Sequence, residues 1–182
     1  RESGCRYLFV WLEGYDIELP QESVNRMIQV ADDMQASILY ADYRVKNPDG
    51  SFSPHPLCDY QAGSVRDDFD FGPLMLISCT AIPNIISSEY SGLYALRLAF
   101  AAVSPDSIVH LRESLYTATE PDRRHSGDKQ FDYVDVRNAA VQKERERVFT
   151  EYLKCIKSCL PPSEKLIDPD SGEFPVEASV II

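Results

Sequence analysis

The chain has 182 residues, 44% of them apolar and 10% aromatic, which allows one ordinary domain with a real core and rules out a disordered chain. Lys and Arg number 18 against 29 Asp and Glu, a formal charge of −11. That balance excludes a nucleic-acid-binding surface, which needs clustered Lys and Arg to displace counterions, and disfavours anionic membrane surfaces.

In chain order, Tyr7 to Leu12 is a continuous apolar run that reads as a strand buried on both faces. It ends at the polar loop Glu13-Gly14-Tyr15-Asp16. Leu19-Pro20 then opens a helix carrying Val24, Met27, Ile28, Ala31 and Met34 at helical spacing. Ser37 to Tyr40 is the next strand, running on to Asp42. Asn47-Pro48-Asp49-Gly50 is a strong turn signal between extended pieces. Pro54 to Gly72 is a long polar loop. Such loops inside compact domains are uncommon and are often functional. Leu74 to Ile77 reads as a buried strand, and Leu93, Leu96, Phe100 and Val103 place an apolar stripe on a helix. Ile108 to Leu111 and Leu115 to Thr117 read as short strands. Asp122 to Gln130 is a second polar loop.

A long helix follows from about Val136 to Leu160, with Val141, Val148, Phe149, Tyr152, Leu153, Ile156 and Leu160 as its stripe, stopped by Pro161-Pro162. Residues 161–175 read as a linker, and 176–182 as a new strand. The chain opens on Arg1 and closes on an apolar run, so both ends read as cut from a larger protein. No apolar run approaches the roughly 20 residues of a spanning helix, and no basic stretch joins a long apolar one as in a signal peptide. Cys5, Cys58, Cys79, Cys155 and Cys159 make an odd count without a Cys-x-x-Cys pair, and there are three His, which argues against zinc. Reduced thiols point to the cytoplasm.

Alternating strands and helices predict an α/β domain with a largely parallel central sheet. Ligands of such sheets bind beyond the carboxyl ends of the strands. This makes Glu13 to Asp16, Asp42 and the loop from Asp59 to Asp70 candidates for one shared crevice. Glu13 and Asp16 read either as carboxylates for Mg²⁺ or Mn²⁺ or as an ordinary polar loop. Asp42 reads either as a ligand-binding carboxylate or as a solvated strand end. Arg66-Asp67-Asp68-Phe69-Asp70 combines carboxylates, a guanidinium and an aromatic, the groups that recognise sugar hydroxyls, and Asp68 or Asp70 is placed to act as general base. The bland reading of this loop is internal pairing between Arg66 and an Asp. His110, inside an apolar strand, reads as a packing residue and His55, between two prolines, as an exposed loop residue. The Lys143 to Arg147 charge run reads as the solvated face of the long helix. There is no Gly-x-Ser-x-Gly turn, no cysteine in an electropositive motif and no Gly-rich phosphate loop.

The order of pieces resembles the back half of a family 2 glycosyltransferase with a GT-A fold. The quoted segments are Phe9 to Pro20 with Glu13 and Asp16 at the metal position, Leu39-Tyr40-Ala41-Asp42, Asp68-Phe69-Asp70-Phe71-Gly72-Pro73-Leu74, Leu96-Arg97-Leu98, Ser107 to Thr117, and His125-Ser126-Gly127. The end, Glu177 to Ile182, resembles the first strand of a second domain of this kind, as in the divergent N-terminal domain of two-domain bacterial (Bacteroides-type) members. The resemblance implies a GT-A-like, Rossmann-like mixed sheet flanked by helices over residues 1–160, incomplete at its N-terminal side. It implies a nucleotide-sugar donor, a glycan or lipid-linked acceptor, and a role in bacterial surface glycan synthesis at a cytoplasmic site, peripheral to the inner membrane if associated with it. Asp42, Arg66, Asp67 and Asp68 would then bind acceptor, Asp68 or Asp70 would be the base, Arg124 and His125 would face the diphosphate, and Glu13 and Asp16 would hold the metal. The sequence departs from the family at two places. The acidic triplet is reduced to Glu13-Gly14-Tyr15-Asp16, and Tyr90, Ser91, Gly92 and Leu93 stand where an acidic pair would precede Leu96-Arg97-Leu98, with only Glu89 nearby. Two expectations follow: a degenerate domain of a glycosyltransferase, or a non-catalytic acceptor-binding or scaffold domain.

Overall fold

The computed structural model describes residues 4–80, 88–119 and 139–160. The linker and terminal strand expected at 161–182, and the loop holding Arg124 and His125, lie outside them.

Among the described residues six strands form one sheet: β1 (Tyr7–Trp11), β2 (Asp16–Glu18), β3 (Ile38–Lys46), β4 (Phe52–His55), β5 (Leu74–Ser78) and β6 (Ile108–Thr119). Their order is β1-β5-β3-β6-β2, with β4 paired to the second half of β3. Only β3 and β6 run parallel; β1/β5, β3/β5, β3/β4 and β2/β6 are antiparallel. The expected largely parallel sheet is therefore corrected to a mixed, mostly antiparallel one. An unbroken apolar run reports burial on both faces, and β5 has that burial because it is interior and covered on both sides, whatever its direction. The apolar run of β1 is not buried on both faces as expected. It is an outer strand that leaves Leu8 and Trp11 exposed.

Three helices cover the sheet: α1 (Gln21–Asp33), α2 (Gly92–Val103) and α3 (Ala139–Cys155). The period-2 alternation of the strands sorts the core. Ile38, Tyr40, Met75 and Ile77 face α2 and α3, where Leu98, Phe100, Val148 and Tyr152 complete the cluster. Leu39 and Leu76 point the other way, onto Met27 and Ala31 of α1. Each of these fully buried side chains contributes on the order of 1.5–3 kcal/mol through lost apolar hydration.

α3 stops short of the expected Leu160. Lys157 turns into the left-handed region (φ 59), its N–H bonding the Lys154 carbonyl and the Ser158 N–H the Leu153 carbonyl, the paired bonds of a helix C-terminus closed by its own backbone. The end precedes the prolines, and Ile156 and Leu160, assigned to the stripe, are exposed.

The two expected short strands near residue 110 are one strand, β6, with a broken register. Between the pairs Ala41–Leu111 and Tyr43–Tyr116 the β6 side carries the extra residues. The sheet is also curled. A flat five-strand span holds its outer strands about 19 Å apart. Yet β1 and β2 are joined by a tight turn at Gly14 (φ 88), with the Tyr15 N–H 3.5 Å from the Leu12 carbonyl. Curling lets Phe9 of β1 and Ile17 of β2 share a third core cluster with Ala41, Tyr43, Leu74, Tyr116 and Ala118.

Candidate functional site

The chain from Pro56 to Pro73 crosses from β4 to β5 without helix or strand, and side chains from β3, β4, β6, α2 and α3 hold it. Its anchor is aromatic. Tyr40 of β3 meets Phe71 edge-on at 4.9 Å and Phe69 at 6.2 Å, Phe69 and Phe71 lie 4.7 Å apart, and Tyr60 stacks against Phe71 at 6.1 Å. Alternation in Asp68-Phe69-Asp70-Phe71 sends the rings inward and the carboxylates outward. Gly72 follows at φ 70, where a Cβ would sit 2.8 Å from the Tyr116 hydroxyl, so both backbone and space require glycine.

At one end of the loop stands His110 of β6, its side chain 3% exposed. Nε2 lies 2.9 Å from Asp42 Oδ1 and Nδ1 2.7 Å from Asp59 Oδ1. Each ring nitrogen thus faces a carboxylate oxygen. Asp42 also accepts the Leu57 N–H at 2.8 Å, and Arg112 grips both oxygens of Asp59. Arg112 first, and His110 second, hold the Asp59 carboxyl down at about 2. The Tyr40 ring stacks on His110 at 4.8 Å, and its hydroxyl donates to the Cys58 carbonyl at 2.6 Å. Two carboxylates, an imidazole and a guanidinium are joined in one network, and every member has partners.

At the other end the same loop borders a cleft of about 190 Å³ between the loop, the start of α2 and α3. Phe69, Phe71, Tyr90, Tyr94, Arg97 and Arg145 line it, with Asp67 and Ser91. Arg97 of α2 is 3% exposed. One Nη donates to the Arg66 carbonyl, and the guanidinium packs over Tyr94 at 5.0 Å and Phe71 at 5.8 Å. Burial lowers its proton affinity. Among the described residues its Nε–H has no partner, nor has the buried hydroxyl of Ser91. Tyr94 donates to the Val65 carbonyl at 2.8 Å, and Asp67 pairs with Arg145 of α3. Glu144 of α3 closes the start of α2 beside the cleft. It accepts the N–H groups of Glu89, Tyr90 and Ser91 at 2.8–2.9 Å and the Ser88 hydroxyl, which holds its carboxyl at about 2.

The structure brings together some of the residues singled out in the sequence and separates others. Asp42 is not a solvated strand end, as one reading had it, but a half-buried partner of His110 and Leu57. Arg66 and Asp68 form a bidentate pair at 2.8 and 2.5 Å, and that pairing lowers the Asp68 carboxyl. Asp70 accepts the Gly72 N–H at 2.8 Å and meets His55 at 3.3 Å. His55 is a half-buried strand residue stacked on Tyr43 at 4.6 Å, which corrects the exposed loop position expected for it. Glu13 and Asp16 are exposed on the turn into β2. Among the described residues no group of three or more His, Cys, Asp or Glu side chains is placed to hold a metal ion. The reading of His110 as packing is half the picture, since it is also the hub of the charged network. Sequence reasoning missed Arg97, Tyr94, Arg112 and Glu144 as functional or supporting groups, and named Asp59 only as the start of the candidate loop. For Arg97 a signal existed: a guanidinium at the centre of an otherwise apolar helix face, one turn from both Leu93 and Ala101.

Among the described residues no helix is long and apolar enough to cross a membrane. No family model matches the chain, and no curated protein matches it.

Proposed function

We propose that this chain is a GT-A-like domain of a nucleotide-sugar-dependent glycosyltransferase acting in bacterial surface glycan synthesis, and that its own task is to hold the glycan or lipid-linked acceptor rather than to transfer the sugar. The observation that carries this reading is the cleft beside Arg97: aromatic rings on its walls, a guanidinium and a carboxylate within it, the equipment with which proteins grip sugar rings and their hydroxyls. The engagement of the acids supports the same division of labour. Asp68 is held by Arg66 with its proton affinity lowered, and Asp42 by His110 and Leu57, so these carboxylates are committed to shaping the loop. A general base for an acceptor hydroxyl works best with raised proton affinity, the opposite of Asp68. Asp70 and Asp67 remain exposed beside the loop and would meet acceptor hydroxyls. If a Mg²⁺ or Mn²⁺ binds, Glu13 and Asp16 are the side chains that would hold it on a donor diphosphate, and it would neutralise the leaving group there.

The test combines a glycan-array screen of the whole chain with an assay of nucleoside diphosphate release from nucleotide sugars and Mn²⁺. We expect carbohydrate binding that Tyr94→Ala removes, and no release. Metal-dependent release that disappears in Asp16→Ala would instead make the chain a transferase in its own right.

A further inference from the structure

An unneutralised buried guanidinium is costly, because desolvation penalises the charge and an unpaired donor forfeits its hydrogen bond. Arg97 is in that position. It is 3% exposed, pairs with no carboxylate among the described residues, and leaves its Nε–H without an acceptor. This happens in a chain where acids outnumber bases by 29 to 18 and where the neighbouring cations are neutralised, Arg66 by Asp68 and Arg145 by Asp67. On the cleft wall Ser91 adds a second unpartnered, buried polar group. Of the nearby carboxylates outside the lining, Asp68 is held by Arg66 and Glu144 is turned onto the backbone N–H groups at the start of α2.

We propose that the Arg97 cleft takes a carboxylate-bearing sugar, a hexuronate-type unit of a glycan, with the carboxylate set against the Arg97 guanidinium on the cleft wall. The proposal deepens the acceptor-binding reading above and rests on it. The chemistry is complementary in each part. A carboxylate cancels the guanidinium charge and forms the charge-assisted hydrogen bond the cleft lacks. The sugar ring has the aromatic wall, with Tyr90 55% exposed at its edge, and its hydroxyls have Asp67 as acceptor. A volume of about 190 Å³ is small beside the 300–1,000 Å³ of drug-sized sites, so one ring of a longer glycan enters, not several.

The experiment is a titration of the ¹⁵N-labelled whole chain with three probes, methyl β-D-glucuronide, methyl β-D-glucoside and phenylacetate, following the arginine Nε–H resonances. The expected result is that the glucuronide binds at least about tenfold more tightly than the glucoside, the scale of one charge-assisted hydrogen bond. It should shift the Arg97 Nε–H signal, and Arg97→Lys should remove the preference. Equal binding of the two sugars would overturn the carboxylate while leaving acceptor binding intact. Phenylacetate binding as tightly as the glucuronide, with no glucoside binding, would overturn the saccharide and with it the reading beneath. A preference for the glucuronide without movement of the Arg97 signal would overturn the site, and this is read on the unmodified chain even where Arg97→Lys fails to fold. Binding of none of the three would overturn the proposal outright.

Discussion

The two ends of the Pro56–Pro73 loop are made of similar parts and are finished differently. At the His110 end a histidine, two aspartates and an arginine are hydrogen-bonded to one another, and the backbone of Leu57 and Cys58 is tied to Asp42 and Tyr40. At the Arg97 end an arginine lies under aromatic rings with an N–H and a neighbouring hydroxyl unsatisfied, beside open space. Buried polar groups are normally satisfied, so an orphan next to a cleft points to what the cleft admits, while a closed network points to what holds the loop still. The aromatic rows between them, Tyr40 to Phe71 to Arg97, make the first end the support of the second.

The largest effect should come from removing the shared wall. Phe71→Ala takes out a ring that is 7% exposed and touches both ends. It should cost about 3–5 kcal/mol in urea denaturation, and binding in the cleft should weaken with it. If stability falls but binding is untouched, the two ends are not joined through the rings.

His110→Ala strikes the closed end alone. It leaves the Asp42 carboxylate half-buried without its imidazole partner and should destabilise the fold by about 3 kcal/mol, the upper end for a buried group left unsatisfied. A loss below about 1 kcal/mol would mean that the network is not the loop's support.

Gly72→Ala lies between the ends and should cost about 2 kcal/mol from the positive φ and the forced shift of Tyr116. An unchanged denaturation midpoint would contradict the tight packing of the loop onto the sheet.

The smallest effect is with acid. Asp59 and Glu144 stay ionised in the fold down to about pH 2, whereas in the unfolded chain such groups take up protons near 4. The unfolded state therefore binds more protons in that window, and stability should be whole above about pH 4 and fall progressively toward pH 2. In Glu144→Gln and Asp59→Asn chains the fall over that window should be shallower. An unaltered slope in both variants would show that the acid sensitivity lies elsewhere.

Much of the fold was legible in the sequence because it depends on local pattern. The strands at Tyr7, Ile38 and Leu74, the helices starting after Pro20 and near Leu93, and the hairpin at Asn47 to Gly50 all carry period or turn chemistry in neighbouring residues. Strand direction was not legible, since apolar runs such as Leu74 to Ser78 encode burial and not orientation. The site was harder for the same reason. His110 meets Asp42 and Asp59 from 68 and 51 residues away, and Glu144 reaches the start of α2 from 53–56 residues away. Those encounters are products of the sheet order and the helix packing. Arg66 to Asp70 stand out in the sequence by their charges, but Arg97, whose Nε–H is left unpartnered, sits in the helix above them, within an apolar stripe that reads as core.

The claim that one end of the loop supports and the other receives is tested most directly by measuring melting temperature and methyl β-D-glucuronide affinity side by side in Asp59→Asn and Arg97→Lys chains. The account predicts that Asp59→Asn lowers the melting temperature and keeps the affinity within about twofold, while Arg97→Lys holds the melting temperature and weakens binding by about tenfold or more. Binding lost in Asp59→Asn and retained in Arg97→Lys, or both properties falling together in both chains, would contradict it.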